Sequence, residues 1–324
     1  MPRNEVENTA LRNGARDASA VTDQKGARDG NAKTEQKGAR QGRAAAADKP
    51  VAFVTGASSG FGLLTSVKLA QQNYRVIATM RDPDKSGELL ERARAAGVAE
   101  EIEIHRLDVT DSEAIRQVVA ETLKRYERID VLVNNAGFAV GGFVEEVPME
   151  DWRRQMEANF FGLVEMTKAV IPAMRSRQSG IIINISSISG RVGFPGYAPY
   201  AASKFAVEGF SESLRHELGP FGVKVVLVEP GAYRTPIWDK GLKQIKNPEH
   251  SPYKNRLQAI MSYSRRSGET APDPQKVADI IGKLAGKRSP GLRYPMGQGA
   301  VLALWTKALL PWKWFEGIIR SGTR

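Results

Sequence analysis

The stretch VAFVTGASSGFG, Val51 to Gly62, constrains the fold more than any other part of the chain. Val51, Ala52, Phe53 and Val54 form an apolar run suited to a buried strand. A turn with glycines at 56, 60 and 62 follows, and then Leu63, Leu64, Val67, Leu69 and Ala70 recur at helical spacing. Strand, glycine-rich turn and helix, in that order, are the context in which a glycine motif means a dinucleotide site. Gly56 permits the tight turn. Gly60 and Gly62 let the backbone approach a pyrophosphate and let the helix pack close to the strand. The helix start offers unpaired N–H groups and the positive end of its dipole. Thr55, Gly56, Ser58, Ser59, Gly60, Phe61 and Gly62 are therefore the first cofactor-binding candidates, against the alternative of an ordinary strand-to-helix turn.

The alternation continues. Strands are expected at Arg75–Thr79, Glu101–Leu107, Asp130–Asn134, Gly180–Ser186 and Lys224–Glu229. Helices are expected over 61–72, Ser86–Ala96, Asp111–Tyr126, Tyr200–Leu218 and one long stretch from Pro148 to Arg177, kinked by Pro172. Apolar runs alternating with helical patterns predict an α/β fold: a single Rossmann-type, doubly wound parallel sheet with helices on both faces. Its ligand site lies at the C-terminal ends of the strands. Residues 50–290 form this domain. The polar stretch 236–271, with scattered aromatics, follows a strand end on the ligand side and reads as a substrate lid; an ordinary surface excursion is the alternative. Residues 274–285 resume a helical pattern, and Gly291–Tyr294 adds an edge strand.

Composition bounds the rest. The 324 residues are 41% hydrophobic, enough for a large core, and contain no cysteine, which excludes disulfides and a thiol nucleophile. Three dispersed histidines argue against a metal site. No apolar run follows the charges at the N-terminus, so a cytoplasmic location is expected. Of the net charge of +11, residues 1–49 carry +3 and residues 283–324 carry +7, leaving +1 for 50–282. A near-neutral body argues against a nucleic-acid partner. Residues 1–49 repeat NGARD, QKGARDG and QKGARQG and hold almost no large apolar side chains, so they read as a disordered, basic low-complexity tail. The C-terminal extension, 291–324, contains VLALWTKALLPWKWFEGII (301–319), which is interrupted by Lys307, Pro311, Lys313 and Glu316 and so does not span a membrane. Its aromatic and basic residues suit either packing on the body or a second subunit, or peripheral contact with a membrane surface.

Chemistry enters at the strand ends. After the second strand, where a carboxylate would hold the ribose of NAD, stand Met80 and Arg81. A guanidinium pairs with a 2′-phosphate that a carboxylate would repel, so NADP(H) is expected over NAD(H); a surface pair with Asp82 is the alternative for Arg81. Asp108 and Val109, after the third strand, suit the adenine, or else Asp108 caps a turn with Thr110 and Asp111. Asn135, Ala136 and Gly137, in NNAG, let a cofactor lie close to the fourth strand. Tyr200 and Lys204 are i and i+4 on a predicted helix and share a face. A phenol with a pKa near ~10 is a poor base at neutral pH; a neighbouring ammonium and an oxidised nicotinamide would lower it. Ser187, at the end of the preceding strand, is placed to hydrogen-bond the oxygen on which charge develops. Ser186 and Ser189 are the competing serines.

These stretches together resemble the short-chain dehydrogenase/reductase family: TGASSGFG, Asp108–Val109, NNAG, Asn159 in EANFFG, Ser187, YAASK (200–204) and PGAYRT (230–235) occur in its order. VIATMRD, YAASKFAVEGFSESL and PFGVKVVLVEPG resemble its 17β-hydroxysteroid and retinol dehydrogenase-like branch. The resemblance implies Tyr200 as catalytic acid/base, Lys204 on the nicotinamide ribose, Ser187 on the substrate oxygen and Asn159 supporting a proton-relay water. It implies that Pro230, Gly231 and Thr235 orient the carboxamide. It also implies a homo-dimer or tetramer built on the long helices. The expected function is NADP-dependent hydride transfer between nicotinamide and a secondary alcohol or ketone, with a small apolar substrate. The alternative is an NADP-binding redox sensor acting through a protein partner.

Overall fold

A computed structural model of the chain describes residues 49–235, 250–297 and 299–321. Of the tail read over 1–49, all but Lys49 lies outside the described residues, as does the 236–249 part of the lid.

Seven strands form one parallel sheet in the order β3-β2-β1-β4-β5-β6-β7. They are β1 (Val51–Thr55), β2 (Arg75–Met80), β3 (Ile102–Arg106), β4 (Val131–Asn134), β5 (Gly180–Ile185), β6 (Val223–Pro230) and β7 (Arg293–Met296). β1, β4 and β5 are buried along their whole length, as a sheet covered on both faces requires. The helices are α1 (Gly60–Gln71), α2 (Gly87–Ala95), α3 (Ser112–Tyr126), α4 (Met149–Met156), α5 (Gly162–Ser176), α6 (Ala198–Leu218), α7 (Lys254–Glu269), α8 (Gln275–Ala285), α9 (Ala300–Leu309) and α10 (Trp312–Ser321). One core packs α1, α2 and α8 on Ala52, Val54, Val133, Ile183 and Val228. Phe53, Leu132 and Ile182 alternate with these and so point to the opposite face. The order reverses between β1 and β4, each paired in parallel register, and a switch point of this kind is where a ligand crevice is expected above the strand ends.

Two features tie the sheet together. At its N-terminal edge Asp130 accepts from Val51 N at 2.8 Å, Arg128 Nε at 2.7 Å and Arg177 Nη1 at 3.1 Å. Burial raises this carboxyl's pKa, but those donors hold it below its ordinary value. At the other end Asn134 Nδ2 donates to Asn184 Oδ1 at 2.9 Å and to Thr167 Oγ1 at 3.0 Å, while Asn184 Nδ2 reaches Ser211 Oγ at 2.8 Å. That buried network joins β4 and β5 to α5 and α6.

The expected kink at Pro172 is not where the long helix departs from α geometry. Pro172 sits inside α5, on its exposed side, where water reaches the carbonyl it leaves unpaired. The departure is a π turn at Glu157–Phe161. The edge strand is Arg293–Met296 rather than Gly291–Tyr294, because its pairing with β6 begins at Leu227↔Arg293. Pro295 lies within it, which an edge strand tolerates.

Candidate active site

The glycine turn is built as its residues require. Gly56 has φ +70°, and a Cβ there would lie 2.8 Å from Ala136 Cα. A methyl on Gly62 would overlap the Gly56 carbonyl and the Asn135 amide. Ser59 is the N-cap of α1 but makes no side-chain cap bond, and the first turn carries no acidic residue. The N–H groups there are left for an anion. Phe61 meets Tyr233 edge-on at 5.7 Å, joining this turn to the segment after β6.

Several other expected residues have their polar groups committed to the chain. Thr55 Oγ1 accepts from Asn135 N and Ala136 N, both at 3.0 Å. Asn135 Nδ2 donates to the Thr55 and Gly56 carbonyls at 2.9 and 3.0 Å. Asp108 Oδ1 accepts from Thr110 N and Oγ1 at 3.0 and 2.9 Å, so that oxygen caps the turn. Val109 packs on Gly162, the first residue of α5. Met80 is buried and Arg81 is exposed. Asp82 pairs with Lys85 at 2.9 Å, rather than with Arg81, which has no ion pair among the described residues. Gly231 N donates to Met296 O at 2.7 Å, and Ser187 Oγ reaches Pro230 O at 3.3 Å, which fixes the turn that leads to Thr235.

The π turn brings Asn159 inward, where it is buried. Its Oδ1 accepts from Phe138 N at 3.0 Å, and its Nδ2 donates to Phe138 O at 2.9 Å and to Ser203 Oγ at 3.2 Å. Ser203 Oγ in turn donates to Tyr200 O at 2.7 Å. A Cβ on Gly137 would lie 2.9 Å from Asn159 Oδ1, so a glycine is needed beside this amide.

Tyr200, Lys204 and Ser187 come together at the start of α6. Lys204 Nζ donates to Ile185 O at 2.8 Å and lies 5.8 Å from the centre of the Tyr200 ring. Burial lowers its pKa to about 8, opposed by the Glu208 carboxylate one turn further on. Burial raises Tyr200 above its ordinary value, and the adjacent Ser187 hydroxyl acts the other way. Desolvation is the largest influence on the phenol, and the amine is turned to the Ile185 carbonyl. Of the rival serines, Ser186 is buried with no partner for its hydroxyl among the described residues, and Ser189 donates its N–H to Ser187 Oγ at 3.1 Å.

Sequence reasoning missed a carboxylate cluster behind Lys204. Arg293 of β7 reaches Glu208 at 3.0 Å, Glu212 at 2.8 Å and Glu229 at 3.4 Å, and Arg191 reaches Glu229 at 3.4 Å. Burial first, and the Glu208 charge second, raise Glu229 to about 7. The one signal available was Glu208, an acid among apolar residues four places after Lys204. The described part of the lid region is α7, which packs inward through Leu257, Ile260 and Ser264. Ser264 hydrogen-bonds Tyr197 at 2.8 Å, and Tyr253 stacks on Phe143 at 4.2 Å.

A parallel sheet of this order, a glycine turn opening α1 and a Tyr–Lys face beside the end of β5 define a dinucleotide-binding oxidoreductase class. Comparison with known proteins narrows the class. Residues 50–246 match the short chain dehydrogenase family, and the chain belongs to it. The uncharacterized oxidoreductase YusZ of Bacillus subtilis (strain 168) is 49% identical over 277 residues, covering 85% of this chain and 98% of that one. A 3-ketodihydrosphingosine reductase of Bacteroides thetaiotaomicron is 37% identical, covering 76% and 87%. Retinol dehydrogenase 8 of Bos taurus is 37% identical, covering 76% and 81%. Among solved structures, a single-substitution variant of actinorhodin polyketide ketoreductase with NADPH matches with TM-score 0.66 at 33% identity, covering 76% of this chain and 94% of that one. A short chain dehydrogenase/reductase of Burkholderia phymatum in complex with NAD matches with TM-score 0.68 at 27% identity, covering 79% and 92%. The protein is a short-chain dehydrogenase/reductase enzyme with retinol dehydrogenase-like relatives, and its glycine turn fits a nicotinamide dinucleotide.

Proposed function

We propose that the enzyme moves hydride between NADP(H) and a secondary alcohol or ketone of a small apolar, lipid-derived substrate. The observation that carries this reading is the Ser187 hydroxyl beside Tyr200, with the Lys204 ammonium against the same ring. The dinucleotide, when bound, supplies or accepts the hydride. The Gly60–Gly62 turn and the start of α1 would hold its pyrophosphate, Asn135 to Gly137 would lie under the ribose, and Pro230, Gly231 and Thr235 would face the carboxamide. Arg81 would hold the 2′-phosphate; its exposure and its lack of an ion pair among the described residues support this.

Tyr200 would give its proton to the substrate oxygen in reduction and take it back in oxidation. Ser187 would hold that oxygen while charge develops on it. Lys204, charged below about pH 8, would stabilise the phenolate left behind. Asn159, clamped on Phe138, would carry the water that returns a proton. The ketone and alcohol named in two relatives, the sphingosine-type reductase and the retinol dehydrogenase, support an apolar substrate. Residues 236–271 would close the pocket. A cytoplasmic homo-dimer or tetramer completes the proposal.

The test follows nicotinamide absorbance with NADPH and NADH against long-chain 3-ketones and steroid ketones, with retinal as the aldehyde comparison. Turnover that prefers NADPH, and that Tyr200→Phe abolishes while cofactor binding persists, supports the reading. Turnover retained by Tyr200→Phe refutes the acid/base role. An NADH preference unchanged in Arg81→Ala refutes the phosphate role.

A further inference from the structure

The C-terminal helices invert the rule for a soluble helix. On α9 the exposed positions are Val301, Leu302, Trp305, Ala308 and Leu309, a stripe at i, i+1, i+4, i+7 and i+8 that is apolar throughout. Its lysine, Lys307, faces inward. There Nζ donates to the Arg191 carbonyl and lies 5.4 Å over the Phe205 ring. On α10, Phe315 is buried while Trp312, Trp314 and Ile318 are outside. The exposures are 67% for Leu302, 61% for Trp305, 71% for Leu309, 65% for Trp312 and 68% for Trp314. Elsewhere among the described residues large exposed apolar side chains are scattered along the chain; here they line one face of α9 and flank Lys313 on α10, the next helix in the chain.

Charge decides what covers this face. On α9 and α10 the described charges are Lys307, Lys313 and Arg320 against Glu316, and Lys313 stands exposed between the two outer tryptophans of α10. A second copy would set this positive charge against its own like. An anionic lipid surface complements it, and tryptophan is the side chain that settles at the headgroup level of a bilayer. No helix among the described residues is long and apolar enough to cross a membrane, so the contact is one of lying on the surface.

We propose that α9 and α10 dock the enzyme on anionic lipid, with Leu302, Trp305, Leu309, Trp312 and Trp314 inserted at the interface and Lys313 on the headgroups. The bond from Lys307 to the Arg191 carbonyl fastens this element to the segment that follows Ser187. The site proposed above is therefore mechanically joined to the docking face, although docking does not depend on the catalytic reading.

The test is flotation of the full chain with vesicles of pure phosphatidylcholine and of phosphatidylcholine containing phosphatidylglycerol. Two variants run alongside, Trp305→Ser/Trp312→Ser/Trp314→Ser and Lys313→Glu, each with its melting temperature measured. Because these side chains are exposed, both variants are expected to melt with the wild type. Binding to the anionic vesicles at least tenfold above the neutral ones, weakened by salt and lost at least tenfold in the triple variant, supports the proposal. Equal binding to both vesicle types, or none to either, overturns it. So does a dimer in light scattering that the triple variant dissociates, which would make a second copy the occupant.

Discussion

Removing the charge of Glu229 should stabilise the protein above neutral pH. Glu229 is fully buried in β6, 3.4 Å from both Arg191 and Arg293, and shares Arg293 with buried Glu208. One oxygen of each of these two carboxylates has no hydrogen-bond partner among the described residues. Two buried carboxylates thus divide one well-placed guanidinium, and desolvation with mutual repulsion raises Glu229 from 4.5 to about 7. The native state then binds more protons than the unfolded chain between those values. Stability therefore falls as pH climbs from about 4.5 through 7 and stays low above it. At ~1.4 kcal/mol per pH unit, the penalty carried at pH 8 is about 3 kcal/mol. Glutamine at 229 mimics the protonated acid and does not titrate. Glu229→Gln should match the wild type near pH 5 and exceed it at pH 8 by roughly 2–3 kcal/mol, or roughly 5–10 °C in Tm for a domain of this size. Thermal melts at half-unit steps across this range, followed by circular dichroism, measure it. Glu212→Gln, which removes an exposed carboxylate from the same arginine, is the control and should change little. Parallel Tm profiles for wild type and Glu229→Gln would refute the reasoning. A less stable variant at pH 8 would mean that the two arginines outweigh burial.

Other outcomes follow from the same geometry. Glu208→Gln removes the charge that supports the Lys204 ammonium, so the alkaline limb of kcat should move below about pH 8; a pH–rate profile reads this. Gly62→Ala drives a methyl into the Gly56 carbonyl and the Asn135 amide, and should weaken dinucleotide binding at least tenfold in a titration and cost about 1–3 kcal/mol in a denaturant melt. Asn134→Ala strips the Asn184 carbonyl oxygen of its donor and should destabilise by about 1–3 kcal/mol, with m unchanged.

How much of this was legible depended on the reach of each interaction. The strands and the glycine turn could be read because a doubly covered parallel strand is an unbroken apolar run and because the turn needs glycine locally. Tyr200 and Lys204 could be read because four residues on a helix suffice to place them on one face. The π turn could not: it arises where Asn159 meets the Phe138 backbone, a contact across 21 residues. Pro172, the visible signal, lies where solvent makes it harmless. The burial of Tyr200 was also out of reach, since a sequence shows a neighbouring lysine but not how much of the ring is desolvated. The carboxylate cluster joins α6, β6, β7 and the turn after β5, and no local pattern announces such a meeting.

The strand ends also form a frame of buried polar groups. Polar atoms buried at the top of a parallel sheet must find partners. Here Thr55 is used by Asn135 and Ala136, Asn134 by Asn184 and Thr167, and Asn159 by Phe138 and Ser203. Each of these bonds measures 2.9–3.2 Å and braces one element on another. Ser187 is held less firmly, with 3.3 Å to Pro230 O, and Tyr200 has that same hydroxyl beside it. In the proposed reading, a ligand oxygen entering there would displace only the long bond from Ser187 to Pro230 O. In the proposed mechanism the polar network and the reacting groups are one arrangement: committing Thr55, Asn134 and Asn159 to the frame leaves Tyr200, Ser187 and Lys204 for proton transfer at a carbonyl.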